Sequence, residues 1–484
     1  MHVIFLRLPL RSVLPLLHAP VPTRPTLMKP LLACLLLLAT LCSSASHAAE
    51  DISQRAYDAV VALQNARRYE EAEEAARALT VARGQALGGT NKSTLEAWML
   101  LTQIISLQDK VADVEAQLQE LLPLLSKVYG AEHPETLKYK AYLIVSLSGQ
   151  GRFADAAEMC RSVLPLLAQV RGPSDKITRL TRATFAGCLI LVGQNAEAET
   201  QLRKQLPLMV KFHGAESRET LSCHSNLILT LANQGKYAEA LKSCRTFIPI
   251  FTRVLGPEDI ETVHTRINLG RCLLELGKVE ETAEECLQVL PISERVLGAE
   301  EPENLQCLFT LVKALVALDK CAEAVEPCRR LISSETRVFG AEALHTLWGR
   351  RILAGALSKL GQLDEAAQEY RQVLVISQRL FGPDQQFTLA IRRGLASVLS
   401  AQGRKPEAEE EFRTVLALQE RGLGAENEDT LNTCQLLALC LMQQHKTQEA
   451  LLHAQRALTA SQKTLGKDHR DTKALQLLVK ELQG

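Results

Sequence analysis

Basic side chains recur at a fixed interval, or multiples of it, through the middle of this 484-residue chain. Guanidinium and ammonium groups that repeat in register can form a row of hydrogen-bond donors, which suits carboxylate groups. The row consists of Lys140, Arg182, His224, Arg266, Arg350 and Arg392, and Arg351 and Arg393 double the charge beside the last two. If these residues share one face, the pattern predicts a surface that binds an acidic peptide or a carboxylate-rich protein.

The same row has a second interpretation. Each basic residue can pair with a glutamate or aspartate of a neighbouring repeat, in which case the row is a set of surface ion pairs. Such pairs are common on helical surfaces and contribute only about 0–1 kcal/mol each. The doubled arginines at Arg351 and Arg393 favour a binding role in those two consecutive repeats.

Motifs for catalysis and metal binding are missing from the sequence. It contains no nucleophile elbow, phosphate-binding loop or HExxH. It also has no CxxC and no histidine pair at metal-binding spacing, so zinc, haem and thioredoxin-like chemistry have no support. We therefore predict a protein that is not an enzyme, with no cofactor and no metal.

Cysteine is used heavily, and most cysteines share positions within the repeat. One position holds Cys160, Cys244, Cys286 and Cys328, and another holds Cys188, Cys272 and Cys440. A shared position is typical of a small buried side chain, a role that cysteine fills well. The alternative is disulfides, since Cys160 and Cys188 are separated by the same length of chain as Cys244 and Cys272.

The element that positions all these residues is a repeat of fixed length. Glycines follow a strict 42-residue period without one slip, at Gly88, Gly130, Gly172, Gly214, Gly256, Gly298, Gly340, Gly382, Gly424 and Gly466. A fixed period in this range indicates a solenoid, in which each unit buries its apolar face only against its neighbours. Threonine stands six positions past nearly every one of these joint glycines, with Asn304 as the exception.

Each unit is predicted to be a pair of antiparallel helices. After Gly130 the apolar residues follow a helical period, and Pro134 suits a first helical turn. The first helix ends at a turn glycine such as Gly151, where Asp109, Asp319 and His445 are substitutes. Prolines occupy one position of five consecutive second helices, at Pro123, Pro165, Pro207, Pro249 and Pro291. They predict a different curvature in the N-terminal half, unless they only record a recent duplication.

These motifs resemble the 42-residue tetratricopeptide repeats of kinesin light chains and their bacterial relatives. Gly130, His133, Pro134, Thr136 and Leu137 match the start of that repeat. Gly235, Tyr237, Glu239 and Ala240 match its later part. The resemblance implies an all-α, right-handed superhelical solenoid of about ten antiparallel hairpins, closed by a capping helix from about Thr472.

The resemblance also implies a function. Members of this family bind peptides or protein partners in a concave groove lined by the first helices, where paired asparagines hold the peptide backbone. Twelve positions past the joint glycine only Asn226 and Asn268 match, whereas Tyr142, Thr184, Thr310 and Ile352 stand elsewhere. An asparagine-based groove is therefore expected only near these two repeats.

The leader, at positions 1–48, differs from the repeats. It contains no acidic side chain, and an apolar run at about 31–42 is followed by small residues, with Ser46 and Ala48 suited to cleavage before Ala49. This is typical of a secretory signal peptide, and the run is shorter than the roughly 17 residues that a membrane anchor needs. We expect a leader at 1–48 and a repeat array at 49–484, exported to the periplasm or beyond; a cytoplasmic location is the alternative.

The balance of charge limits the partners. Lys+Arg and Asp+Glu are equal at 55 each, so the chain has no global field for a nucleic acid backbone or an anionic lipid surface. The prediction is a scaffold that binds a protein or peptide and has no membrane span after cleavage. The alternatives are an architectural protein that assembles with copies of itself and an intracellular adaptor.

Overall fold

The computed structural model describes residues 47–108, 110–464 and 466–483. The predicted apolar run of the leader, at about 31–42, lies outside these residues, as do Asp109 and Leu465. The described residues form 21 α-helices and no strand. None of these helices is both long enough and apolar enough to cross a membrane.

The helices alternate between first and second members of ten hairpins, hairpin 1 being α1–α2 and hairpin 10 α19–α20. The first helices, followed by the final helix α21, are α1 His47–Asn65, α3 Lys92–Ser106, α5 Pro134–Gly149, α7 Lys176–Leu191, α9 Arg218–Asn233, α11 Ile260–Glu275, α13 Pro302–Ala317, α15 Leu344–Lys359, α17 Gln386–Ala401, α19 Glu428–Met442 and α21 Arg470–Gln483. The second helices are α2 Tyr69–Leu87, α4 Val111–Tyr129, α6 Phe153–Val170, α8 Asn195–His213, α10 Tyr237–Val254, α12 Val279–Val296, α14 Cys321–Phe339, α16 Leu363–Phe381, α18 Lys405–Gly422 and α20 Thr447–Thr464.

The predicted all-α solenoid of hairpins is confirmed, while the right-handed sense of its superhelix stays a prediction. The chain divides into two compact units between Glu239 and Ala240. In the second unit each helix from α11 onward packs on the next, and consecutive first helices from α11 to α21 also contact one another. The exposed sides of these first helices therefore form one continuous surface, called the first-helix face below.

The joints between hairpins have one repeated geometry. All ten joint glycines have positive φ, from 86° at Gly88 to 111° at Gly298. In three joints the hydroxyl of the buried threonine six positions later donates to the carbonyl oxygen of the joint glycine, over 2.7 Å for Thr220 and 2.9 Å for Thr346 and Thr430. In four other joints the equivalent threonine hydroxyl has no hydrogen-bond partner among the described residues, so this bond is a feature of some joints and not of all.

The turns inside the hairpins also need a residue with positive φ. Six turn glycines have φ between 73° and 81°. Asp319 and His445 take the same conformation with φ of 59° and 61°, as predicted, and Arg67 does so in the first hairpin at 58°, which the sequence did not indicate. The helices α4, α6, α8, α10 and α12 run through their shared prolines, and the predicted difference in curvature stays a prediction.

All eleven cysteines of the described residues are buried free thiols. Burial raises the pKa of Cys272 to about 11 and that of Cys223 to about 12, so these thiols stay protonated at neutral pH. The Sγ of Cys160 lies 3.9 Å from the carbonyl oxygen of Thr181 on the next hairpin. The cysteines therefore act as small core residues between helices.

One carboxyl group is also buried between helices. Glu335 of α14 is only 4% exposed, and its Oε2 has no hydrogen-bond partner among the described residues. The same Oε2 lies 3.5 Å from where a Cβ on Gly349 would stand. Burial raises the pKa of Glu335 to about 7, because the charged form loses its hydration without gaining a partner.

Replacing a joint glycine tests the need for positive φ. Gly130 has φ 104° and ψ 152°, a region that only glycine populates readily, and a Cβ there would meet no atom within 4 Å. We expect Gly130→Ala to lower the free energy of unfolding by about 2 kcal/mol through backbone strain alone. The control is Gly84→Ala inside α2, which should raise it by about 0.5 kcal/mol. Urea unfolding measures both, and equal effects would contradict the interpretation.

Stability should depend on pH through Glu335. Its pKa is about 7 in the folded chain against 4.5 for an ordinary glutamate, so the folded state binds the extra proton. The free energy of unfolding should therefore fall as pH rises from about 4.5 through 7, by about 3 kcal/mol in total. Urea titrations at pH 5 and pH 8 measure this difference, and Glu335→Gln should abolish it. The control is Glu326→Gln, an exposed change on the same helix, which should leave the difference unchanged. An unchanged pH slope in Glu335→Gln would show that the carboxyl is hydrated.

Candidate functional site

Three residues of the predicted basic row are paired within their own hairpins. Arg266, Arg350 and Arg392 contact glutamates of the following second helix at 2.6, 2.8 and 2.6 Å. The partners are Glu285, Glu369 and Glu411, which occupy one shared position of the repeat. The ion-pair interpretation therefore describes these three arginines, with the partner in the same hairpin rather than a neighbouring one.

In the hairpins of the other three members this position holds Met159, Gln201 and Ser243 instead of glutamate. Arg182 is 8% exposed, its Nε has no hydrogen-bond partner among the described residues, and burial lowers its pKa. The position of the partner glutamate is occupied in its hairpin by Gln201. Lys140 donates from Nζ to the carbonyl oxygen of Ala131 over 3.2 Å, and burial lowers the pKa of His224 to about 4, so this histidine is neutral at pH 7.

The two predicted groove asparagines are not equivalent. The amide of Asn268 donates to the carbonyl oxygen of His264 in its own helix over 3.0 Å, and the side chain is 9% exposed. Asn226 is half-buried, and its backbone carbonyl accepts the hydroxyl of Thr230 over 2.7 Å. The amide of Asn268 is therefore used within its own helix.

Aromatic side chains gather at the start of hairpins 8 and 9. Trp348 of α15 is 37% exposed, a large fraction for a tryptophan. Its ring centroid lies 5.3 Å from that of Phe387 on α17, and Phe387 meets Phe381 of α16 edge to face at 5.9 Å. Leu344, one turn before Trp348, is 46% exposed. This part of the first-helix face therefore offers apolar surface to a partner.

Arg351 lies directly beside this surface. Its guanidinium carbon is 4.6 Å from the centroid of the Trp348 ring, a cation–π contact. It has no carboxylate partner among the described residues, and its Nε is buried without an acceptor. Burial lowers the pKa of Arg351, nearby Tyr370 raises it, and the positive charge of Arg393 lowers it. Arg393 itself pairs with Asp429 at 2.9 Å.

A tyrosine from the second helix α16 enters the space between α15 and α17. Tyr370 is 7% exposed, and a Cβ on Gly394 of α17 would lie 2.5 Å from its ring atom Cζ. On the other side its hydroxyl is 3.6 Å from where a Cβ on Gly355 of α15 would stand. Burial raises the pKa of Tyr370, while the positive charges of Arg351 and Arg393 lower it.

We call Trp348, Arg351, Tyr370, Phe387 and Arg393 the hairpin 8–9 site. It brings together the two doubled arginines that the sequence singled out, and adds three aromatic residues that it did not. No cluster of three metal-ligating side chains occurs in the described parts of the chain. The arrangement is suited to recognition, because an exposed aromatic ring and an unpaired guanidinium offer both apolar contact and charge-assisted hydrogen bonds.

Comparison with protein families agrees with this architecture. Family models described as tetratricopeptide repeat match residues 219–281 and 343–421 with one model and 430–471 with another. These matched parts of the chain are tetratricopeptide repeats, the repeat type that the sequence resemblance predicted. No curated protein matches the sequence.

Two solved structures are similar to parts of the chain. A putative kinesin light chain from Podospora anserina with nearly identical TPR-like repeats is 26% identical, over 42% of this chain and 95% of that one, with a TM-score of 0.37. A signal transduction ATPase with a tetratricopeptide repeat sensor from Pyrococcus horikoshii is 12% identical, over 83% of this chain and 57% of that one, with a TM-score of 0.51. The second likeness concerns the fold alone.

Supplying the missing glutamate should stabilise hairpin 4. In Gln201→Glu the new carboxylate stands at the same offset from Arg182 as the glutamates of the three observed pairs stand from their arginines. We expect the free energy of unfolding at pH 7 to rise by about 1 kcal/mol, because the pair would form around a buried guanidinium. Thr200→Glu adds the same charge at the exposed neighbouring position and should change it by less than about 0.5 kcal/mol. Equal values for both variants would rule out the pairing.

Proposed function

We propose that this protein is a non-enzymatic scaffold that binds an acidic segment of another protein in the concave groove formed by its first helices. The observation that carries the proposal is the unpaired Arg351 against the exposed ring of Trp348. Tryptophan and arginine are the residue types that most often dominate binding energy at protein interfaces. The tetratricopeptide fold supports the same class of function.

Electrostatics supports the acidic character of the partner. Arg351 has lost part of its hydration without gaining a carboxylate, whereas Arg266, Arg350 and Arg392 each have one. A partner carboxylate would restore a charge-assisted bond to Arg351, and a planar guanidinium can hold it through two parallel N–H groups. The proposed binding residues are therefore fewer than those of the predicted basic row, because the arginines that already have glutamate partners are left out.

Export is part of the proposal and depends on the sequence alone. The signal-like residues before Ala49 favour a partner in the periplasm or outside the cell, since signal peptides direct chains through the secretory route. Intact mass of the protein from fractionated source cells tests this point. A chain that keeps its N-terminus and remains in the cytoplasm would make the protein an intracellular adaptor.

Affinity capture with matched variants tests the binding function. Immobilised full-length protein is incubated with an extract of the source cells, and captured proteins are quantified for the native chain, Trp348→Ala, Arg351→Gln and Arg456→Gln. Arg456 is the control, since it is an exposed arginine of α20 whose partner is Glu420 at 2.6 Å. The captured amount of a specific partner should fall at least tenfold with Trp348→Ala and Arg351→Gln, since hot-spot truncation costs about 2 kcal/mol or more. It should stay unchanged with Arg456→Gln.

The same preparation separates the proposal from self-assembly. Light scattering of the pure native chain should report a monomer whose mass does not depend on concentration. Concentration-dependent oligomers that disappear in Trp348→Ala would mean that the hairpin 8–9 site holds a second copy of this chain. Equal capture of every protein by the native chain and all three variants would overturn the proposed function at this site.

A further inference from the structure

The position of Tyr370 within its repeat holds no hydroxyl in any other hairpin. At the equivalent position the other hairpins have small or apolar residues: Ala76, Leu118, Cys160, Leu202, Cys244, Cys286, Cys328, Phe412 and Ala454. These side chains fill the contact with the next hairpin. The Tyr370 side chain is longer than the side chains at these equivalent positions, and it ends in a hydrogen-bonding group. Its hydroxyl therefore extends beyond the atoms that make this contact in the other hairpins.

The facing position is also different at this one place. Twelve positions past the joint glycine, other hairpins have a side chain: Leu100, Tyr142, Thr184, Asn226, Asn268, Thr310, Ile352 and Leu436. At Gly394 there is none, and a Cβ would lie 2.5–2.7 Å from Cζ, Cε1 and the hydroxyl oxygen of Tyr370. Tyr370 therefore occupies the volume that the side chain of the first helix fills elsewhere.

This exchange places a polar group from a second helix between the first helices α15 and α17. The hydroxyl lies by Gly355, one turn after Arg351 on α15, and Gly394 follows Arg393 directly on α17. The phenol has no hydrogen-bond partner among the described residues. Both arginines affect the pKa of Tyr370, which agrees with the closeness of the three groups.

Resting on the function proposed above, we propose that Tyr370 together with Arg351 and Arg393 forms a pocket for a single carboxylate of an aspartate or glutamate side chain in the partner. The phenol donates one hydrogen bond and Arg351 supplies the uncompensated positive charge. Arg393 adds N–H donors, but Asp429 already balances its charge. One spare positive charge matches a carboxylate better than a doubly charged phosphate.

The chain provides its own reporter for a test. It contains only two tryptophans, Trp98 and Trp348, so Trp98→Phe leaves Trp348 as the sole indole beside Arg351. In this full-length background, Trp348 fluorescence is titrated with amidated octaglutamate, with octaglutamine bearing a free C-terminal carboxylate, and with inorganic phosphate. We expect saturable binding of octaglutamate and at least tenfold weaker binding of the other two probes.

Two variants remove the hydroxyl in different ways. Tyr370→Phe keeps the ring, and Tyr370→Cys combined with Gly394→Ile copies the pair Cys328 and Ile352 found one hairpin earlier. Both should bind octaglutamate about tenfold more weakly, since hydrogen bonds to charged groups are the strong ones. Tyr69→Phe in hairpin 1 is the control and should bind like the native chain. Circular dichroism melts show whether each variant is folded.

The outcomes separate this inference from the proposed function. If a folded Tyr370 variant binds octaglutamate as tightly as the native chain, the pocket is overturned, while capture that depends on Trp348 and Arg351 can still stand. Stronger binding of free-carboxyl octaglutamine would assign the pocket to a chain terminus, and stronger binding of phosphate to a phosphorylated ligand. Either result would contradict the proposal that the pocket binds a side-chain carboxylate, and so would the absence of binding by every probe.

Discussion

The structure depends on one backbone constraint, the left-handed conformation at each joint glycine. Ten residues with φ between 86° and 111° turn the chain in the same way at the same interval. A residue with a Cβ would be strained there, so the constraint acts on the peptide backbone rather than on any particular contact. Because every joint has the same geometry, equivalent positions of successive hairpins face equivalent neighbours, and a side chain can be understood by comparison with its counterparts in the adjacent repeats.

The hairpin 8–9 site shows how a repeated framework acquires a particular function. Its residues stand at positions that are occupied in every hairpin, and it differs from the others by substitutions within the repeat. Arg351 has no acidic partner among the described residues, whereas Arg350 beside it is paired with Glu369. Gly394 removes a side chain from α17 and Tyr370 fills the space from α16. The framework keeps its packing while two neighbouring hairpins change their chemistry.

The sequence predicted the architecture better than the site. The unbroken glycine interval and the helical spacing of apolar residues determine the hairpins, and turn chemistry identified Asp319 and His445 as residues with positive φ. Arg67 was missed because arginine has no preference for that conformation. The partners of Arg266, Arg350 and Arg392 could have been found by looking for a glutamate at one shared position of the following helix. The contact of Tyr370 with Gly394 could not, because it joins different positions of two successive repeats, and their proximity depends on how the hairpins pack.

The identical joints at both ends of each hairpin have a consequence for the evolution of the chain. Unequal recombination between repeats can delete or duplicate one whole repeat and still leave every remaining joint intact, whereas the gain or loss of a single residue would displace all contacts of one hairpin with the next. Array length can therefore drift in whole repeats at little structural cost. The packing of Tyr370 against Gly394 is an exception, since it requires these two hairpins to remain adjacent.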